Sequence, residues 1–257
     1  MDEFEKSFAQ TTKILLGAEL GSFYDYSKWL SEHVFLPYCA KSKKSGKEVW
    51  LAPSRDFLGK KFDAARIVSM EEGEINKENS YSYEDIKDAD LNSFRTKFCE
   101  PIALYLGNFR YKTHQNALKS SGTGDCVNVY MGEDVYHGAR NIGFCKSMLY
   151  CENIFGCREG TNCKYCINCY GSTYLTRCFE MDSCTKCSDS YFCHNCENLE
   201  NCLFCFNSKG LHYAIANIEV GKEKYMEIKK KILTEISQKL EKNKKLDISI
   251  FNIGARK

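Results

Sequence analysis

Between Cys145 and Cys205 the chain steps in threes. All thirteen cysteines of that stretch fall in one residue class modulo three. If each of the twelve after the first matched with a chance of one third, the odds would be on the order of one in 500,000. The other members of the class, including Met148, Ile154, Gly160, Ser172, Met181, Ser190 and Leu199, carry no charge. The remaining two classes hold the Lys, Arg, Asn, Glu and most aromatics. Small and apolar in one class, polar in the other two, describes an inside and an outside. A period of three drifts off every face of a 3.6-residue helix, so the stretch is not helical. The class continues downstream through Ser208, Leu211 and Ala214. Upstream it runs back through Ile142, Ala139, Tyr136, Glu133, Tyr130, Val127, Gly124, Ser121 and Leu118, with Glu133 its one charged member.

A longer period lies on top of the short one. In blocks of eighteen, Cys151, Cys169, Cys187 and Cys205 close successive blocks, and Cys178, Cys187, Cys196 and Cys205 mark a half-period of nine. This pattern predicts a β-solenoid, a parallel β-helix of about 18 residues per coil, with roughly three sides and two inward residues on each. Residues 116–215 would supply about five coils. Asn153, Asn162, Asp189, Asn198 and Asn207 recur where corners are expected, and Asn and Asp tolerate corner conformations. Cysteine serves such an interior as a small hydrophobe.

The flanks read differently. Residues 1–115 suggest an N-terminal α+β region or cap. EKSFAQTTKILLGAEL and FYDYSKWLSEHVF have helical spacing, KEVWLAPS reads as a short strand, and MEEGEINKENSYSYEDIKDAD as a polar loop. Residues 216–257 form a C-terminal basic helix and tail. Over 222–245, Tyr225, Ile228, Ile232, Ile236 and Leu240 make one amphipathic stripe. The open ends of a solenoid need covering, and these flanks are the segments available.

Charge narrows the function classes. The whole chain carries a net charge of +2, which is no global nucleic-acid signature. The tail from Lys222 onward carries +6 and the remainder −4, so any contact with nucleic acid or an acidic partner would run through the C-terminal helix. The acidic start MDEFEKSFAQ shows no signal-peptide pattern, and no run approaches the ~18 apolar residues of a membrane span. The expected setting is cytoplasmic or virion-associated, where thiols stay reduced.

Paired cysteines raise three chemistries. Cys184, Cys187, Cys202 and Cys205 have the spacing of a four-cysteine zinc site. Residues three apart on an extended strand are about 10 Å apart, whereas sulfurs on one zinc sit roughly 3.8 Å apart. Such a pair therefore chelates only where it bends round a corner. Cys163, Cys166 and Cys169 resemble the first ligands of an iron–sulfur run, but Cys178 comes too late for the fourth and no proline follows. A redox dithiol needs one activated pair at a helix start, which a repeat of equivalent pairs does not build. Cysteines of one column on adjacent coils would lie about 4.8 Å apart, within reach of oxidative cross-linking. Cys39 with His33 is a weak nucleophile pattern, and Ser-Gly-Thr-Gly-Asp at 121–125 lacks the lysine of a phosphate loop.

The stretch SDSYFCHNCENLENCLFCFNSKGLHYAIANIEVGKEKY, residues 188–225, resembles a family of uncharacterised cysteine-repeat proteins of candidate-phyla bacteria, archaea and phages. The likeness covers roughly 145–235 and includes the exit into a lysine-rich helix. It implies a β-solenoid and no particular activity. Family members often begin with a zinc-ribbon-like segment; this chain has only Cys39 and Cys99 before its repeat. The expectation is a non-catalytic scaffold or protein-binding module that takes a protein partner or a second copy. The alternatives are a metal-binding protein and, third, an enzyme with a groove on the solenoid.

Overall fold

Every third residue of the repeat points inward, and the residue just before it turns the chain. Asp189, Phe192, Asn195, Asn198, Asn201, Phe204, Asn207, Gly210 and Tyr213 all adopt positive φ. The unit is therefore an inward residue, an outward residue and a left-handed corner. In the computed structural model, which describes residues 3–56, 61, 63–73, 81–146, 152–174, 176–181 and 188–253, these units wind into a β-solenoid of about eight turns. After glycine, Asn and Asp bear the left-handed conformation at least cost. Phe192 and Phe204 do not, and the strain of about 1–2 kcal/mol at each is offset in part by stacking of their rings 5.0 Å apart.

The elements, in chain order, begin with helices α1 (Glu3–Leu16) and α2 (Phe23–Leu30). Strands β1 (Tyr38–Lys41) and β2 (Glu48–Leu51) form an antiparallel hairpin, and β3 (Ile67–Ser69) pairs in parallel with β4 (Leu104–Leu106). Between them lie short helices α3 (Tyr83–Ile86) and α4 (Leu91–Ser93) and a π-helical turn at Phe94–Cys99. The solenoid strands are β5 (Arg110–Leu118), β6 (Ser121–Tyr130), β7 (Glu133–Val135), β8 (Arg140–Gly143), β9 (Cys178–Phe179), β10 (Ser190–Tyr191), β11 (Glu200–Leu203) and β12 (His212–Ile215). Antiparallel β13 (Ile218–Glu219) and helix α5 (Lys222–Asn243) finish the chain.

The register corrects the expected coil length of 18 residues. Ser190 lies on Cys178, Tyr191 on Leu203, and Cys202 on Ala214, so neighbouring coils are 12 residues apart. Four three-residue sides close each coil, with one inward residue per side. The physical reason is size. Four small side chains meet and fill the middle of a four-sided coil, whereas an eighteen-residue coil would enclose space that Cys, Ser and Ala leave empty.

A second correction concerns the early coils. Val127 pairs with Arg140 and Val129 with Ile142, a step of thirteen. The extra residue sits at the left-handed pair His137–Gly138. It moves the inward frame, so that Ala117, Ser120, Thr123, Cys126, Val129 and Val135 face the interior, not Leu118, Val127 or Tyr130. Leu118 is 56% exposed. Glu133 is buried from outside the tube, where its Oε1 accepts the Ser54 amide at 2.6 Å.

Two hydrophobic cores result. One fills the tube with the inward column residues. The other covers one outer face, where Phe155, Ile167, Phe179, Tyr191, Leu203 and Ile215 form a ladder at twelve-residue spacing under α1, α2 and α5. Phe155 meets Phe4, Phe8 and Phe23 at 5.9, 5.1 and 5.8 Å between ring centroids. Gly156 sits where a Cβ would lie 2.7 Å from the Leu30 carbonyl, so glycine permits α2 to approach. On α5 the buried residues are Tyr225, Leu233, Ile236, Ser237 and Leu240. The stripe is thus rotated from expectation, with Ile228 38% exposed. No helix among the described residues is long and apolar enough to cross a membrane.

Candidate functional site

The inward thiols share one local role. Cys145 Sγ donates to the Gly143 carbonyl at 3.1 Å, Cys193 to Tyr191 at 3.4 Å, Cys196 to His194 at 3.1 Å, and Cys205 to Leu203 at 3.5 Å. Inward serines do the same, as Ser120 to Leu118 at 2.7 Å, Ser172 to Tyr170 at 2.6 Å and Ser190 to Ser188 at 3.0 Å. In each case the side chain reaches the carbonyl two residues back, and in all but Ser172 it does so across a left-handed corner. A small residue with one donor fits the narrow interior and tethers the turn. This explains why Cys and Ser interchange at inward positions.

Of the four zinc candidates, Cys202 and Cys205 are fully buried in adjacent columns of the tube, and Cys184 and Cys187 lie outside the described residues. Cys163, Cys166, Cys169 and Cys178 are likewise buried inward. Among the described residues no group of three or more His, Cys, Asp or Glu is arranged to hold a metal ion, and no disulfide joins the cysteines. Burial pushes the Cys166 and Cys169 thiols up. The thiols of Cys193, Cys202 and Cys205 influence one another electrostatically inside the tube. That coupling pulls Cys205 down and, with burial, pushes its two partners up.

The other sequence candidates separate. Cys39 is exposed on β1, and partial burial and Glu48 raise its thiol, which is the opposite of activation. His33 packs instead between Phe251 and Tyr170, at 4.2 and 5.8 Å. Residues 121–125 belong to β6 and are nearly all buried in the first coils.

One buried acid escaped the sequence reading. Glu180 is 3% exposed on the helix-covered face, where Oε1 accepts the Ile250 amide at 2.8 Å. Burial, with repulsion from Glu32, pushes its carboxyl up to about 8. The signal was a charged residue in the column of Phe192 and Phe204, visible only once the coil length is twelve.

Outside the tube, stacked pairs repeat at the coil spacing. Asn195 donates to Asn207 at 2.8 Å, Lys209 meets Glu197 at 2.6 Å, and His212 meets Glu200 at 3.2 Å. A cleft of about 870 Å³ opens between α1, α5 and the coil face at Arg177, Asp189 and Tyr191. A second groove, of about 800 Å³, runs between β2 and the first coil. The two ends of the solenoid differ. At the C-terminal end β13 covers β12, and the Asn217 side chain both accepts from the Phe206 amide at 2.9 Å and donates to its carbonyl at 2.8 Å. At the N-terminal end the Arg110 guanidinium donates to the carbonyls of Phe109, Ala117 and Ser120.

Fold and interior together define a four-sided, cysteine-lined β-solenoid with a helical cover on one face. No protein-family model matches the chain, and neither a curated protein nor a solved structure is found to be similar to it.

Proposed function

We propose that this chain is a non-catalytic β-solenoid scaffold that binds a protein partner on its outer surface, with its cysteines serving as core. The observation that carries the reading is the shared hydrogen bond of inward Cys and Ser to the carbonyl two residues back. A residue exchangeable with serine at a structural tether is not thereby a ligand or a nucleophile. The cytoplasmic or virion-associated setting belongs to the same reading, because reduced thiols suit these tethers. The family likeness of residues 188–225 agrees with it. The α5 lysines make nucleic acid a secondary candidate for the partner.

The alternative is a protein that binds zinc or another soft metal through Cys202 and Cys205 with Cys184 and Cys187. The four-cysteine spacing favours it. One measurement separates the two: elemental analysis of protein purified without chelator, with thiol titration. The scaffold reading expects no stoichiometric metal, fast reaction of the exposed Cys39 and Cys99, and sixteen thiols after denaturation. One tightly held metal per chain, released only on unfolding, would overturn it.

A further inference from the structure

After α5 the chain runs into a strap, residues 245–253, that lies on the coil face. It begins where Lys244 turns left-handed at the helix end. Leu246 and Ile250 are buried, and Phe251 lies against His33 and Tyr170 at 4.2 and 4.8 Å. Most of its hydrogen bonds are its own. Asn252 and Ile253 donate to the Ser249 carbonyl at 3.1 and 3.0 Å, and the Ser249 amide to the Asn252 side chain at 2.8 Å. Among the described residues, one hydrogen bond ties the strap to the coils, from the Ile250 amide to Glu180 Oε1 at 2.8 Å. A turn held by a few apolar side chains and one acceptor can open without disturbing the tube.

That acceptor is half satisfied. Glu180 Oε2 is buried without a partner, and so is Asn168 Oδ1. The Tyr165 amide meets the Thr176 carbonyl at 2.9 Å, just as the His194 amide meets that of Cys205 where His194 pairs with Phe206. By the same twelve-residue step Asn168 lies beside Glu180, on adjacent coils about 4.8 Å apart. Two acceptors give each other nothing. One proton on Glu180 Oε2 makes it a donor, and both atoms then have a partner.

The surroundings do not supply a counter-charge. Among the described residues no cation lies within ion-pair distance of Glu180. Beyond the end of α2, Glu32 repels it, and His33 faces Phe251 and Tyr170. On the next coil Tyr170 carries a buried hydroxyl, which burial and the Glu180 charge push up. On the strap Lys245 pairs with Asp247 at 3.1 Å, and Lys244 donates to the Tyr26 hydroxyl at 3.2 Å. Burial outweighs the Ile250 amide, which favours the ionised form, and the Glu180 carboxyl stands at about 8. Opening the strap lets water reach the carboxylate and removes that penalty.

We propose that the strap is a pH-released latch, held shut by one proton shared between Glu180 Oε2 and Asn168 Oδ1. The inference goes beyond the scaffold reading and does not rest on it. Closure takes up a proton at Glu180. It is therefore fully favoured below the ordinary carboxyl value of 4.5, weakens as pH rises, and levels off above about 8. Opening bares His33, Tyr170 and the Glu180 carboxylate.

The test is hydrogen exchange of the full-length chain from pH 5 to 9, read by mass spectrometry as protection corrected for the intrinsic pH dependence of exchange. Residues 246–253 are expected to be at least about tenfold less protected than 190–205 at every pH. Their protection should fall by up to about tenfold per pH unit and level off near pH 8. Glu180→Gln keeps an acceptor for Ile250 and a donor for Asn168, and should make strap protection flat across the range. Asn168→Ala removes the partner of the proton and should move the levelling-off to lower pH. Flat protection in the unaltered chain overturns the proposal. Strap protection equal to that of 190–205 does so too, because the strap then opens only with the whole fold. An equal fall in Glu180→Gln overturns it and assigns the titration to His33. An upward shift in Asn168→Ala overturns it as well, because the amide then donates to an ionised carboxylate.

Discussion

The two cores of this molecule solve opposite problems. Inside the tube, four side chains per coil converge, so each must be small, and a single weak donor suffices to tether the corner behind it. Under the helices, side chains project outward from the coils with room to extend, so most are large. Phe155, Ile167, Phe179, Tyr191 and Leu203 are buried there against α1, α2 and α5. The inner core fixes how the chain turns. The outer core fixes what the tube is attached to. Their energetic weights should differ accordingly.

The largest effect is expected outside. Phe155→Ala removes a fully buried ring from between three aromatic partners and should cost about 3–5 kcal/mol of unfolding free energy. A denaturant midpoint shift well under that would mean the helices add little. Next comes the polar defect in the same core. The Glu180 carboxyl is raised from 4.5 to about 8, so protonation favours the folded chain. Stability should be highest near and below pH 4.5 on this account, fall as pH rises, and level off above about 8. The loss is bounded by about 5 kcal/mol, from about 1.4 kcal/mol per pH unit. Glu180→Gln should flatten that slope in midpoints measured from pH 5 to 8, and an unchanged slope would remove Glu180 as its source. The smallest effect is inside. Cys202→Ala should cost about 1–2 kcal/mol, and Cys202→Ser less than Ala, because Ser keeps the donor. A serine variant less stable than alanine would break the tether account.

The inner core was legible in the sequence, and the outer one was not, for a physical reason. Inward positions all ask for the same thing, so Cys145 through Cys205 announce the three-residue step. Nothing at those positions distinguishes one column from its neighbour, because Cys, Ser, Met and Ile serve equally. The coil length is set by backbone pairing, and a spacing of eighteen mimics it while placing Cys178 and Cys196 a coil and a half apart. The ladder of Phe155, Ile167, Phe179, Tyr191 and Leu203 repeats at the true length, yet it hides among residues expected to face water. The offset at His137–Gly138 left one trace, the acidic Glu133 in an otherwise uncharged class. As for the candidate metal site, spacing brought Cys202 and Cys205 to notice, and the fold turns both into the tube with their neighbours.

Helix α1 touches more of the tube than its length suggests. Phe4 packs on Gly143 and Phe155 near one end of the helix, and at the other the Leu15 carbonyl accepts from Tyr191 at 3.1 Å. Gly143 and Tyr191 are four coils apart, about 19 Å at the usual strand spacing, and the helical span from Phe4 to Leu15 is about 16 Å. Stacked repeats ordinarily feel only their nearest neighbours and open from an end, one unit at a time. A rod bonded to both ends of a four-coil stretch removes that freedom. These coils should melt together or not at all, and an array built from interchangeable parts behaves, along this face, as a single cooperative body.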